Sequence, residues 1–118
     1  MGEAGEAKKL VLVIVDRAEL VDELLTGFLD IGVPGATVLE SRGMGSIIKQ
    51  EMPMFAGLAS LFPEHTGSRV IISVLPESVI EKVHGVLDEL IGRYEDMQSV
   101  LCATLPVDEF HIRRKASE

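Results

Sequence analysis

Two aliphatic runs constrain this chain more than any other feature: Leu10 to Val15, and Val70 to Leu75 with Ser73 as its one polar member. Short runs rich in β-branched side chains predict buried strands. Apolar residues at helical spacing follow each run. After the first come Leu20, Val21, Leu24, Leu25, Phe28 and Leu29. After the second come Val79, Ile80, Val83, Val86, Leu87, Leu90 and Ile91. Residues recurring at i, i+3 and i+4 lie on one face of a helix. Asp16 is placed to cap the first helix, with Glu19 three residues on, and Gly32 and Pro34 to stop it. Pro76 suits the first turn of the second helix, and Gly92 its end.

Further strands are expected at Ala36–Ser41 and Ser99–Leu105, the latter broken by Pro106. The order is then β-α-β, a long loop from Gly43 to Ser68, and β-α-β. Right-handed crossovers put both helices on one face of the sheet. The split arrangement places the aliphatic strands in the centre and the other two at the edges. The expected fold is an α+β, ferredoxin-like βαββαβ sandwich with an antiparallel sheet. At 118 residues this is one domain, taken as 8–115 behind a flexible arm at 1–7.

A half-exposed antiparallel sheet alternates apolar and polar residues. The central strands here do not, so their second face also needs cover. About six large aliphatics left in water would forgo roughly 1.5–3 kcal/mol each. An oligomer covering that face resolves the conflict; a loop or tail folding back over it is the other solution.

Composition excludes several functions. The net charge is −8, which opposes nonspecific binding to nucleic acid, and the one tight basic cluster is Arg113-Arg114-Lys115. The strands carry no aromatic stacking platform for RNA. No apolar stretch is long enough to span a membrane as a helix. The start lacks a signal-peptide pattern, so a cytoplasmic location is expected. The single cysteine, Cys102, sits between Leu101 and Ala103 and reads as a buried thiol. His65, His84 and His111 are scattered without a nucleophile beside them, so no catalytic set is expected. His84, beside the apolar face of its helix, reads as structural. Glu64-His65 with Met52 and Met54 is a weak soft-metal pattern, and no metal site is assigned. The absence of asparagine argues against an acylphosphatase-type site, and the absence of CxxC against a metallochaperone.

Gly35-Ala36-Thr37-Val38-Leu39-Glu40-Ser41-Arg42-Gly43-Met44-Gly45 resembles the G-x-T-V-x-E-x-K-G-x-G stretch of the PII signalling proteins. Lys9–Val15, Ile31-Gly32-Val33, Ile80-Glu81-Lys82-Val83 and Leu105-Pro106-Val107-Asp108-Glu109 with Ile112-Arg113 are similar to that family too. The resemblance implies a homotrimer, a mobile loop after strand two that touches a target enzyme or membrane transporter, and an adenine nucleotide effector between subunits. It implies a ligand site at Thr37, Gly43 and Gly45, with Gly92 and Arg93 after the second helix and Arg113 and Arg114 after the last strand. Glycines let backbone approach a ligand, and arginine forks suit phosphate or carboxylate. Within the loop, Met44, Met52, Met54, Phe55 and Phe62 are the expected partner-binding residues, methionine being an adaptable contact residue. Phe55, Leu58, Leu61 and Phe62 match one short helix.

The chain departs from the pattern at one place above all. Where the family has a glycine-rich phosphate loop, this chain has Tyr94-Glu95-Asp96-Met97-Gln98. Those acids repel polyphosphate, so a mononucleotide, a cyclic nucleotide or a carboxylate is as well suited as ATP. The loop also lacks the tyrosine that some relatives modify. Two other small-domain readings stand beside this one. Asp16-Arg17-Ala18-Glu19-Leu20 partly resembles the opening of the amino-acid-binding ACT modules. A CutA-like trimer with a metal-related role is the other.

Overall fold

The computed structural model describes residues 6–52, 54, 57, 67–97 and 100–116. Its elements run β1 (Lys8–Val15), α1 (Val21–Asp30), β2 (Thr37–Ser41), α2 (Met44–Glu51), β3 (Ser68–Pro76), α3 (Ile80–Arg93) and β4 (Leu101–Pro106). The four strands form one antiparallel sheet in the order β2-β3-β1-β4, so the aliphatic strands are central as expected.

The core lies between one sheet face and the pair α1 and α3. Val11, Val13 and Val15 of β1 and Ile71 and Leu75 of β3 meet Leu24 and Phe28 of α1 and Val83, Leu87 and Leu90 of α3. The two helices approach closely at Gly27, where a Cβ would stand 2.9 Å from a Val86 methyl. Leu29 departs from the expected apolar face: it is 74% exposed.

Helix entries differ from the expectation in a consistent way. A single 3-10 turn precedes each long helix, Ala18–Leu20 before α1 and Glu77–Val79 before α3. The cap position of the first turn therefore falls on Arg17 instead of Asp16, and Arg17 makes no side-chain cap bond. Pro76 closes β3 and stands at the cap position of the second turn. Gly92 does not end α3. The helix runs through Arg93 and ends at Tyr94, whose extended backbone stops it. Gly32, at φ +93°, does terminate α1 in the region that favours glycine.

Two boundaries shift in the second half of the chain. Pro106 is the last residue of β4, one past the expected end at Leu105, since an edge strand tolerates proline at its end. Ser99, expected in this strand, lies outside the described residues. The expected helix of Phe55, Leu58, Leu61 and Phe62 also lies outside them. The short helix that is described, α2, begins in the Gly43-Met44-Gly45 sequence itself. Ile47 N–H donates to the Gly43 carbonyl at 3.1 Å to open it.

Residue pairing identifies what covers the second sheet face. Directly paired residues share a face. Leu10, Leu12 and Ile14 pair with Val74, Ile72 and Val70 on one side, and with Leu105, Ala103 and Leu101 on the other. Thr37 and Leu39 extend this face across β2. None of these residues is buried, and Leu39, Leu101 and Leu105 are 46%, 54% and 46% exposed. Both long helices lie on the other side. The segment after β4 comes against this face at one end, beside Thr37, Ile72 and Val74.

A candidate effector cleft

That end is where β1 begins and β3 finishes, since Lys8 pairs with Pro76 and Lys9 with Pro106. A cleft of about 1240 Å³ opens there. Its floor is Thr37, Ile72 and Val74 of the uncovered sheet face, and its outer wall is the run from Val107 to Arg113. Ligand clefts commonly measure about 300–1,000 Å³, so this one is large enough for a nucleotide-sized molecule and is open to solvent.

Each wall is held by identifiable contacts. Gly35 and Ala36 line the cleft ahead of Thr37, and the buried Ser73 hydroxyl fixes them by donating to the Gly35 carbonyl at 2.5 Å. Glu6 and Ala7, counted with the arm in the sequence, are tied to the start of the second helical segment. Glu77 N–H donates to the Ala7 carbonyl at 2.9 Å, and Ser78 N–H to the Glu6 carboxylate at 3.2 Å. Hydrogen bonds from Ser78 hold the Glu6 carboxyl below its ordinary range, with the charge of Lys8 adding less. Glu6 thus supplies the acidic cap that neither the Pro76 nor the Val79 side chain does.

The cleft contains Lys8, His111 and Arg113 together with Glu6 and Asp108. Among the described residues, Arg113 has neither an ion-pair nor a hydrogen-bond partner. At the other end of the sheet Arg69 donates to the Ser68 carbonyl at 3.0 Å, and three further arginines away from the cleft are neutralised by acids. Arg17 pairs with Asp96 at 2.5 Å, Arg42 with Glu51, and Arg93 with Glu23 and, at 3.9 Å, Glu89. Arg17 holds the Asp96 carboxyl below its ordinary range through their hydrogen bond, and Asp96 raises the guanidinium in return.

The expected site residues therefore divide into two groups. Thr37 and Arg113 line one cleft, and the exposed Arg114 follows it. Gly43 and Gly45 lie beyond Ser41, which pairs with Ser68 at the far end of β3. Gly92 and Arg93 sit at the C-terminal end of α3, whose Arg93 reaches back to the first turn of α1. Within one chain these groups are not assembled. Of the partner-binding residues, Met44 and Met54 are strongly exposed and Met52 less so, while Phe55 and Phe62 lie outside the described residues. Sequence reading missed Glu6, Lys8, Asp108 and Phe110 as cleft residues, because they lie at strand ends and in coil with no periodic signal.

No protein-family profile matches the chain, and no curated protein does. Solved structures do. A putative PII-like signalling protein from Thermus thermophilus superposes with a TM-score of 0.60 at 18% identity, over 86% of this chain and 87% of that one. Arabidopsis thaliana PII bound to citrate gives 0.59 at 20% identity, over 88% and 78%. A nitrogen regulatory PII-like protein from Thiomonas intermedia, bound to ADP, AMP and bicarbonate, gives 0.53 at 16% identity, over 86% and 91%. The fold is that of the PII-like proteins.

On this PII-like fold, the segment after α3 is built for packing. Met97 is buried in the core, Tyr94 donates a 2.6 Å hydrogen bond to Glu23, and Asp96 engages Arg17. Asp96 and Arg17 are committed to one another. Other chemistry is sparse. Among the described residues no group of three His, Cys, Asp or Glu side chains is placed to hold a metal. His84 is exposed, which corrects its reading as a packed residue, and His111 contacts Glu109 at 3.3 Å. Cys102 pairs with Val13 on the helix-facing side, and burial pushes its thiol up, away from the reactive thiolate. No helix among the described residues is long and apolar enough to cross a membrane.

Proposed function

We propose that this chain is a small-ligand-sensing regulatory protein that works as a homotrimer. It binds an adenine nucleotide or a related small anion at clefts between subunits and contacts a target protein through residues 43–68. The observation that carries this reading is the distribution of free positive charge. Arg113 is unpaired among the described residues and stands in the cleft, whereas Arg17, Arg42 and Arg93 are neutralised by acids elsewhere. An unpaired guanidinium in a concave site is a ready partner for phosphate or carboxylate.

Three further points support it. The uncovered aliphatic face gives a reason for self-association, since its burial by a second copy would recover the hydrophobic stabilisation that one chain leaves unused. The cleft opens at the end of that face, so a neighbouring copy would stand beside it and supply groups such as Gly43 and Gly45 that one chain keeps apart. The fold is shared with proteins solved with ADP, AMP, bicarbonate or citrate, which is the ligand chemistry proposed here. The exposed Met44, Met52 and Met54 support a docking role for the loop.

The test combines light scattering with thermal shift against AMP, ADP, ATP, cyclic AMP, citrate and bicarbonate. A ligand at about 100 times its dissociation constant stabilises the folded state by about 2.7 kcal/mol. The expected result is a trimer mass and a shift with at least one of these, lost in Arg113→Ala. A monomer without any shift overturns the reading. For the loop, deletion of residues 47–61 is expected to abolish target pull-down while leaving the ligand shift in place.

A further inference from the structure

The same cleft carries acids as well as bases, and their positions bear on which anion it accepts. Glu6 and Asp108 line it alongside Lys8 and Arg113, so its fixed charges are evenly balanced before His111 is counted. Glu6 is held ionised by its Ser78 hydrogen bonds and is anchored by them at the rim. Asp108 is exposed, in the segment after β4 that also carries Arg113. A ligand seated on Arg113 therefore shares the cleft with both carboxylates. The rest of the molecule adds no compensating field, because the net charge of the chain is −8.

We propose that Glu6 and Asp108 are specificity-determining residues that make the cleft select by ligand charge. They admit a scaffold with one acidic group, a phosphate monoester or diester, over the same scaffold carrying a polyphosphate chain. This inference rests on the reading that the cleft is the effector site. Its physical basis is direct. A phosphate monoester carries about −1.5 to −2 charges at neutral pH and needs only the one free guanidinium as its direct partner. Each added phosphate brings charge that has no further free cation in the cleft and two carboxylates to face. Repulsion between fixed charges at a protein surface exceeds its value in bulk water. Both residues are at or near the surface, so the discrimination weakens as salt screens it.

The experiment is calorimetric titration of AMP and ATP in magnesium-free buffer at low ionic strength, with the ratio of the two dissociation constants as the readout. Glu6→Gln keeps an acceptor for Ser78, and Asp108→Asn is isosteric on an exposed wall, so both variants keep the fold. Asp88→Asn, on the exposed side of α3, removes the same charge away from the cleft. The wild type is expected to bind AMP more tightly than ATP. The ratio should narrow by about fivefold or more in Glu6→Gln and in Asp108→Asn, but not in Asp88→Asn, and also on raising the salt. ATP binding as tightly as AMP to the wild type, or an equal change in Asp88→Asn, overturns the inference while leaving the effector site standing. Binding of neither nucleotide, nor of citrate, overturns the effector reading itself and this inference with it.

Discussion

The Ser73 hydroxyl donates a 2.5 Å hydrogen bond to the carbonyl oxygen of Gly35. Among the described residues Ser73 is the one buried polar side chain, on the helix-facing side of β3. Its bond spans 38 residues and anchors the coil that leads into β2. Ser73→Ala is expected to cost about 1–3 kcal/mol, because it leaves a carbonyl oxygen without its donor in a partly buried place. Urea denaturation measures that cost. The loss should be accompanied by weaker effector binding, since Gly35 and Ala36 line the cleft immediately before Thr37. A variant destabilised without any change in binding would separate the coil from the site.

Gly27 shows how closely the two long helices approach. A methyl group there would stand 2.9 Å from Val86 Cγ1, and valine is stiff at χ1. Alanine in a helix is worth about 1 kcal/mol over glycine, while overpacking costs about 1–3 kcal/mol. Gly27→Ala is therefore expected to be destabilising by about 1 kcal/mol net, against the propensity trend. The double variant with Val86→Ala should recover part of the loss, and a double-mutant cycle gives the sign of the coupling.

The Arg17–Asp96 pair ties the end of β1 to the segment after α3, and it makes stability depend on pH. Asp96 is held below its ordinary range in the folded state by Arg17. Its folded pKa is lower than its unfolded pKa, so its contribution is present above the unfolded value, about 3.9, and is lost as pH falls below that through the folded value. The stability difference between wild type and Asp96→Asn is expected at pH 7 and should shrink below about pH 4. It should also shrink with salt, because Asp96 is exposed. Thermal melts across pH 2.5–7 check this.

Most of the sheet was legible in the sequence because burial writes a pattern. The Leu10–Val15 and Val70–Leu75 runs named the central strands, and the absence of alternation named the uncovered face. Helix entry was less legible. Whether a helix starts with a 3-10 turn depends on how Leu20 and Val79 must reach the core, and tertiary packing overrides the capping signal at Asp16. The α2 helix was hidden because Gly43 and Gly45 read as part of a long loop, although Met44, Ile47 and Ile48 have helical spacing. The cleft was half legible. Thr37 and Arg113 lie in motif-like stretches, but Glu6 reaches it only through a contact with Ser78 that spans 72 residues, which no local pattern contains.

The two faces of β1 give the sharpest test of self-association. Leu12 and Val13 are neighbours in the chain with opposite surroundings. Val13 is fully buried against the helices, and Leu12 lies between Ile72 and Ala103 on the uncovered face. A lysine at Val13 would bury a charge without a partner, a cost large enough to remove the marginal stability of a small domain. A lysine at Leu12 would place its charge at the centre of the proposed subunit interface, where one chain alone tolerates it and an assembly does not. Val13→Lys is expected to yield unfolded or insoluble protein. Leu12→Lys is expected to yield a folded monomer by circular dichroism and light scattering, with effector binding weakened because the neighbouring copy no longer completes the cleft. If Leu12→Lys kept the oligomeric mass of the wild type, the sheet face would not be the interface, and the unpaired aliphatic rows would need another cover.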